Sequence, residues 1–235
     1  MAVADQDRIA DSVKQETRGA SLDDVRGEAL ERVRAGWQNH GYFKVQVTGE
    51  GKETLSSSPA SQSIVLFVNV HEGAQYKLSG ITFRNNKAII NVKALRRLFP
   101  ISDGDIFSRE RMEKGLESLR KAYGQLGYIN FAAVPRTAFD DENGLISLDI
   151  YVDEGKPFYV SSVNVLGLNE PAQREILKDA PVGQIYNSKT FELFLKKHSS
   201  LLQFSSDDPW HVKKRVDERA GTVAITLDAY PCPVH

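Results

Sequence analysis

The chain has 235 residues, 41% hydrophobic and 26% charged, a size and balance that accommodate one large domain or two to three small ones. Lys and Arg number 30 against 31 Asp and Glu, and this net charge of −1 gives neither nucleic acid nor an anionic membrane a reason to be the main partner. The one cysteine, Cys232, lies between Pro231 and Pro233, which excludes an internal disulfide and a thiolate metal cluster, and no apolar run is long enough to span a bilayer as a helix.

Ile9, Ala10 and Val13 recur at helical spacing within residues 5–17, and Arg18-Gly19 close that first helix. Ser21 is expected to cap a longer helix with Asp23 and Asp24 in its first turn and Val25, Leu30, Val33 and Trp37 facing inward, ended by Gly41. Phe43, Val45 and Val47 alternate as a strand over 43–48, a Ser-rich loop covers 56–63, and residues 64–70 form a second strand. A strand over 76–83 then leads to an Asn85-Asn86 turn, residue types that tolerate a left-handed backbone.

A helix is predicted over 91–99, stopped by Pro100, and after Asp103-Gly104-Asp105 a second helix is capped by Ser108. Met112, Leu116, Leu119, Tyr123 and Leu126 mark its inner face, and Gly127 terminates it as a left-handed cap. Residues 129–137 and 145–152 make a hairpin around Asp140-Asp141-Glu142-Asn143-Gly144. A strand over 159–166 follows, and Gly167 occupies the place Asn85 held. Pro171 opens a helix to residue 178, Pro181-Val182-Gly183 breaks it, Ser188 caps a helix to about 202, and 211–216 with 222–227 form the closing hairpin.

The order repeats. Val-His-Glu-Gly-Ala-Gln-Tyr at 70–76 and Val-Asp-Glu-Gly-Lys-Pro-Phe at 152–158 stand 82 residues apart, and ahead of each lies Leu30-x-x-Val33-x-x-x-Trp37-x-x-x-Gly41-Tyr42 or Leu116-x-x-Leu119-x-x-x-Tyr123-x-x-x-Gly127-Tyr128. Self-similarity at this period marks an array of modules. The expected division is 1–74, 75–155 and 156–235, the first module lacking its leading strand because residues 1–11 offer no alternating run. Gly41, Tyr42, Gly73, Gly127, Tyr128 and Gly155 form a structural signature of the repeat.

A β-α-α-β-β module with Gly-Tyr after its second helix and Glu-Gly before the next first strand resembles the polypeptide-transport-associated (POTRA) domain. The middle module carries the resemblance best, through Asp103-Gly104-Asp105-Ile106-Phe107-Ser108, Leu119-Arg120-x-x-Tyr123, Gly127-Tyr128 and Val152-Asp153-Glu154-Gly155. In the third, Leu201-Leu202-Gln203-Phe204-Ser205-Ser206 replaces Gly-Tyr, while Val182-Gly183-Gln184-Ile185-Tyr186-Asn187 parallels 102–108. The resemblance implies an α+β fold of tandem modules, each a three-stranded sheet packed on two helices. It also implies a non-catalytic periplasmic arm of a BamA-type or TamA-type outer-membrane assembly or secretion protein. Such an arm binds unfolded outer-membrane or secreted polypeptides and accessory assembly proteins and works with a C-terminal β-barrel outside this chain. The alternative is a structural interaction module of the FtsQ division-protein type.

Residue chemistry adds no enzyme. His40, His71, His198, His211 and His235 are scattered without metal-ligand spacing, and no nucleophile elbow, phosphate loop or dinucleotide fingerprint occurs, so no cofactor is expected. Asp140-Asp141-Glu142 reads as a solvated turn, Trp37 and Tyr123 as packing residues, and Trp210 as the aromatic to look for at a partner surface. The functional candidates are sheet edges, where an extended polypeptide adds through main-chain hydrogen bonds. The resemblance puts the second strand of each module on the outside. Pro135 interrupts the middle edge, leaving Phe43, Lys44, Val45, Gln46 and Val47 in the first module and His211, Val212, Lys213, Lys214, Arg215 and Val216 in the third as the receptive positions. The missing first strand also leaves residues 64–70 with an unprotected side on which a homodimer could form.

Overall fold

The elements α1(Val3–Val13), α2(Leu22–Asn39), β1(Gln46–Leu55), β2(Gln62–His71), β3(Lys77–Arg84), α3(Val92–Arg96), α4(Arg109–Gln125), β4(Ala132–Asp140), β5(Leu145–Asp153), β6(Tyr159–Leu166), α5(Glu170–Lys178), α6(Ser188–Lys197), α7(Ser199–Leu202), β7(Val212–Asp217) and β8(Thr222–Asp228) follow one another along the chain. They come from a computed structural model that describes residues 1–13, 22–55, 62–202 and 211–230. The strands form three sheets, ordered β1-β2, β3-β5-β4 and β6-β8-β7. By contacts the chain divides into two compact units, one of Met1–Phe83, Asn91–Leu116 and Pro135–Ile150, the other of Arg84–Ile90, Glu117–Val134 and Tyr151–His235.

The first unit begins with α1 against α2 and the antiparallel pair β1-β2, in register from Gln46↔His71 to Leu55↔Gln62. Ile9, Val33, Trp37, Val45 and Val47 form the core, with Leu30, Val68 and Val70 packed on it. The alternation of β1 follows from this: Val45 and Val47 turn to the helices, Gln46 and Thr48 to solvent. Among the described residues this sheet has two strands.

In the second unit β6 pairs parallel to β8, and β7 pairs antiparallel to β8. Phe158, Val160, Val163, Val165, Ile176, Phe191, Leu195, Val223, Ile225 and Leu227 fill the space between this sheet and α5–α7. Asn85 and Gly167, matched by position in the sequence, both hold a positive φ, 67° and 80°. Pro171 sits in the first turn of α5, where its missing N–H is harmless.

Several boundaries differ from expectation. The outer strands begin at Gln46 and Ala132, not at 43 and 129, because the residues after each Gly-Tyr are held in a turn by Val45 N–H to Tyr42 O (3.2 Å) and Phe131 N–H to Tyr128 O (3.2 Å). The third starts at Val212. The helix predicted over 91–99 is only α3, capped by Asn91 and ended at Arg97. Asn187, not Ser188, caps α6: its side chain accepts from Lys189 and Thr190 N–H (2.9 and 3.1 Å). The single helix expected to about 202 is interrupted at His198 (φ −102°, ψ 13°), leaving the short α7. Ser21, most of the Ser-rich loop, Trp210, Cys232 and His235 lie outside the described residues.

Candidate functional site

A small three-stranded sheet has two edges, and here one of them is partly covered. The loop before α4 lies along the start of β3: Gly104 N–H donates to Leu78 O (2.7 Å), Leu78 N–H to Asp105 O (2.9 Å), and Phe107 N–H to Tyr76 O (3.0 Å). The loop before α6 repeats this on β6, with Gly183 to Val160 O (2.8 Å), Val160 to Gln184 O (2.9 Å) and Tyr186 to Phe158 O (2.8 Å). Main-chain groups at the start of β3 and β6 are thereby consumed, which leaves β4 and β7, each at the far end of its sheet order, as the edges uncovered among the described residues.

The edge of β4 carries Val134 and Pro135 and is exposed along most of its length. On β7, His211 O accepts from Asp228 N–H (2.8 Å), so by antiparallel alternation the main-chain groups of Lys213, Arg215 and Asp217 face β8 while those of Val212, Lys214 and Val216 face outward. Val212 is buried, Lys214 Nζ stands 5.7 Å over both the Tyr186 and Phe191 rings, and Lys213 pairs with Asp228 at 3.3 Å. His211 precedes the strand with Nδ1 2.5 Å from Asp228 O. In the first module only Gln46 and Val47 of the named positions stand in β1; Val45 is core, and Phe43 and Lys44 are engaged elsewhere.

Both helices before a Gly-Tyr end in the same motif. Tyr42 N–H bonds to Trp37 O (3.1 Å) and Gly41 N–H to Gln38 O (3.3 Å); Tyr128 bonds to Tyr123 O (3.1 Å) and Gly127 to Gly124 O (3.2 Å). This is a Schellman ending, and φ of 89° and 87° at the glycines shows why the position needs no Cβ. The carbonyl of that glycine then accepts the N–H of the residue just before the next strand: Tyr76 to Gly41 (2.8 Å) and Phe158 to Gly127 (3.0 Å). A Cβ there would meet Ile106 and Tyr76 O in one seam, Ile185 and Phe158 O in the other. Gly73 and Gly155, of the Glu-Gly motif, also hold positive φ, 72° and 64°.

A family model described as "Surface antigen variable number repeat", POTRA, matches residues 76–155. Residues 76–155 are a POTRA domain. POTRA domains 3 to 5 of Haemophilus influenzae BamA share the fold of nearly the whole chain: the crystal structure superposes with a TM-score of 0.63 at 21% identity, covering 92% of this chain and 82% of that one. The chain is also 26% identical over 199 residues to a putative outer membrane protein assembly factor of Treponema pallidum, covering 82% of this chain and 24% of that protein. It is 23% identical over 131 residues to the outer membrane protein assembly factor BamA of Neorickettsia risticii, covering 56% and 17%. The chain thus spans about a quarter or less of the length of these two relatives. The α+β fold shared with those tandem POTRA domains fits the repeat in the sequence.

The two helix endings contain partners that the sequence does not reveal. The repeated Glu of Val-x-Glu-Gly receives the polar handle of the helix aromatic: Trp37 Nε1 donates to Glu72 (3.0 Å) and Tyr123 OH to Glu154 (3.0 Å). That hydrogen bond from Trp37 holds the Glu72 carboxyl below its usual range, and burial pushes the Tyr123 phenol well above its own. Trp37 and Tyr123 are therefore packing residues with a polar anchor, and the recurrence of a Glu with an aromatic donor was the signal available for it.

Asp141 is more than a solvated turn. It accepts from Lys44 (2.7 Å) and Tyr76 OH (2.5 Å), and these bonds, that of Lys44 first, hold its carboxyl below the usual range. Phe43 packs edge-on against Phe107 at 5.3 Å and near Phe139 at 5.4 Å, with Lys44 Nζ 4.5 Å over the Phe139 ring. In the following seam the corresponding bond is neutral to charged, Asn130 to Glu218 at 2.7 Å. Among the described residues, no group of three or more His, Cys, Asp or Glu could hold a metal ion, and no helix is long and apolar enough to cross a membrane.

Proposed function

We propose that this chain is a non-catalytic periplasmic arm of an outer-membrane protein assembly factor, made of three POTRA modules at 1–74, 75–155 and 156–235, that binds extended polypeptides by adding them to strand edges. The carrying observation is the asymmetry of two of the sheets: the starts of β3 and β6 are covered by the loops before α4 and α6, while β7 presents the main-chain groups of Val212, Lys214 and Val216 outward. Main-chain pairing demands little of the guest sequence, which suits a protein that handles many clients. The relatives named as outer membrane protein assembly factors support the setting. Accessory assembly proteins and a C-terminal barrel are the further partners of this reading.

Receptive positions are β7, with Lys213 and Arg215 beside its open groups, and the strand that contains Gln46 and Val47. In β4, Pro135 has no N–H to offer and breaks the row. Titration of an extended peptide into the labelled chain, followed by amide NMR, tests the proposal. Perturbations at 212–216 and 46–48 are expected; perturbations confined to 129–137 would refute it.

A further inference from the structure

The outer face of the third sheet, turned away from α6, is hollowed near the β7–β8 turn. The hollow, about 490 Å³, is lined by Arg215, Asp217, Glu218 and Arg219 and has Ser161, Thr222 and Ala224 as its floor. Its floor is low because these are small side chains. Ser161 reaches it through a register shift between Val160 and Ser162, a bulge that adds one residue to β6 where it passes β8.

The charges nearby divide into engaged and available. Lys213 is paired with Asp228, Lys214 lies over two rings on the opposite face, Asp217 accepts from Ala220 N–H (2.9 Å), and Glu218 accepts from Asn130. Arg215 and Arg219 have no side-chain hydrogen bond or ion pair among the described residues, though both are exposed at the hollow. Arg215 is opposite Ala224, so its main chain faces β8 and its side chain the hollow. A guest residue placed opposite Arg215 by an antiparallel strand on the open edge takes a non-hydrogen-bonded position, with Cα atoms about 4.5 Å apart and both side chains on the same face.

We propose that the hollow receives a carboxylate side chain from a polypeptide strand added antiparallel to β7, so that this module selects extended clients with an acidic residue on the face turned away from α6. The inference rests on the strand-addition reading above. A planar guanidinium matches a carboxylate with two parallel hydrogen bonds, and a second arginine lining the same hollow adds to the attraction.

The test uses the full chain, isotopically labelled, and two short peptides of alternating Thr and Val that differ only by Glu or Gln at the central outward position. At low salt the Glu peptide is expected to bind about fivefold more tightly, the range of a partly exposed ion pair. Both should perturb amides 212–216, and Arg215→Gln with Arg219→Gln should bring the two affinities together. Equal affinity of both peptides for the unaltered chain, with β7 still perturbed, overturns the selection and leaves strand addition standing. A preference for Glu that survives in the double variant also overturns it, because the charge is then read elsewhere. Failure of both peptides to perturb 212–216 removes strand addition itself.

Discussion

Replacing Gly127 by alanine tests the seam between the middle and third sheets, and two other glycines supply its internal controls. Gly124 lies in α4 with nothing within 4 Å of an added Cβ, so Gly124→Ala should stabilise the chain by about 0.5–1 kcal/mol through helix propensity. Gly183 holds φ +79° in equally open space, and Gly183→Ala should cost about 1–2 kcal/mol for the left-handed backbone alone. Gly127 combines φ +87° with crowding: its Cβ would stand 2.6 Å from Ile185 Cγ2 and 3.2 Å from Phe158 O. Ile185 is 45% exposed and can swing away, but Phe158 O is held by Tyr186 N–H at 2.8 Å. Backbone strain and overpacking together place Gly127→Ala at about 3 kcal/mol. The loss of chain entropy in the unfolded state is common to all three substitutions and cancels between them. Urea unfolding by circular dichroism gives the ranking, and amide exchange at Phe158, whose N–H bonds to Gly127 O, reports the seam directly. A cost for Gly127→Ala no greater than for Gly183→Ala, with Phe158 protection unchanged, would refute the close backbone approach.

Tyr123→Phe removes the donor to Glu154 and should cost about 1 kcal/mol in a thermal melt; no change would mean that Ala88 N–H, 2.8 Å from the same carboxylate, satisfies it alone. Asp141 is held below the usual carboxylate range by Lys44 and Tyr76, so its contribution is present above the unfolded value and disappears as pH falls through the lower folded one. The first seam should therefore loosen only below about pH 4, followed by Lys44 and Tyr76 NMR signals, and Asp141→Asn should abolish that acid-side transition. Asn187→Ala should destabilise by about 1 kcal/mol and Ser188→Ala by far less, with equal effects counting against Asn187 as the cap of α6. The side of β2 away from β1 carries no strand among the described residues, and self-association through it should appear as a concentration-dependent dimer in light scattering that a proline in β2 removes.

Elements that depend on neighbours in the chain were legible in the sequence. Gly41 and Gly127 end helices because a Schellman turn needs a left-handed residue whose N–H satisfies the carbonyl three places back while the next N–H satisfies the one five places back, a requirement that lies wholly within one stretch. Asn85 and Gly167 could be matched for the same reason. The start of β1 was misjudged because Phe43 and Lys44 alternate like a strand but are held by Phe107, Phe139 and Asp141, and contacts across such separations leave no periodic trace.

The array itself, its α+β class, its helix endings and the repeated Glu-Gly turns follow from the sequence alone, because local dihedral and burial requirements recur there with the same residues. Tertiary structure decided which edge of each sheet stays open. The loops at 104–107 and 183–186 consume main-chain groups of β3 and β6, and a main-chain hydrogen bond is blind to side-chain identity, so no pattern of residues announces it. It likewise decided which cations of β7 remain available: Lys213 and Lys214 are occupied by partners from other elements, while Arg215 faces the hollow.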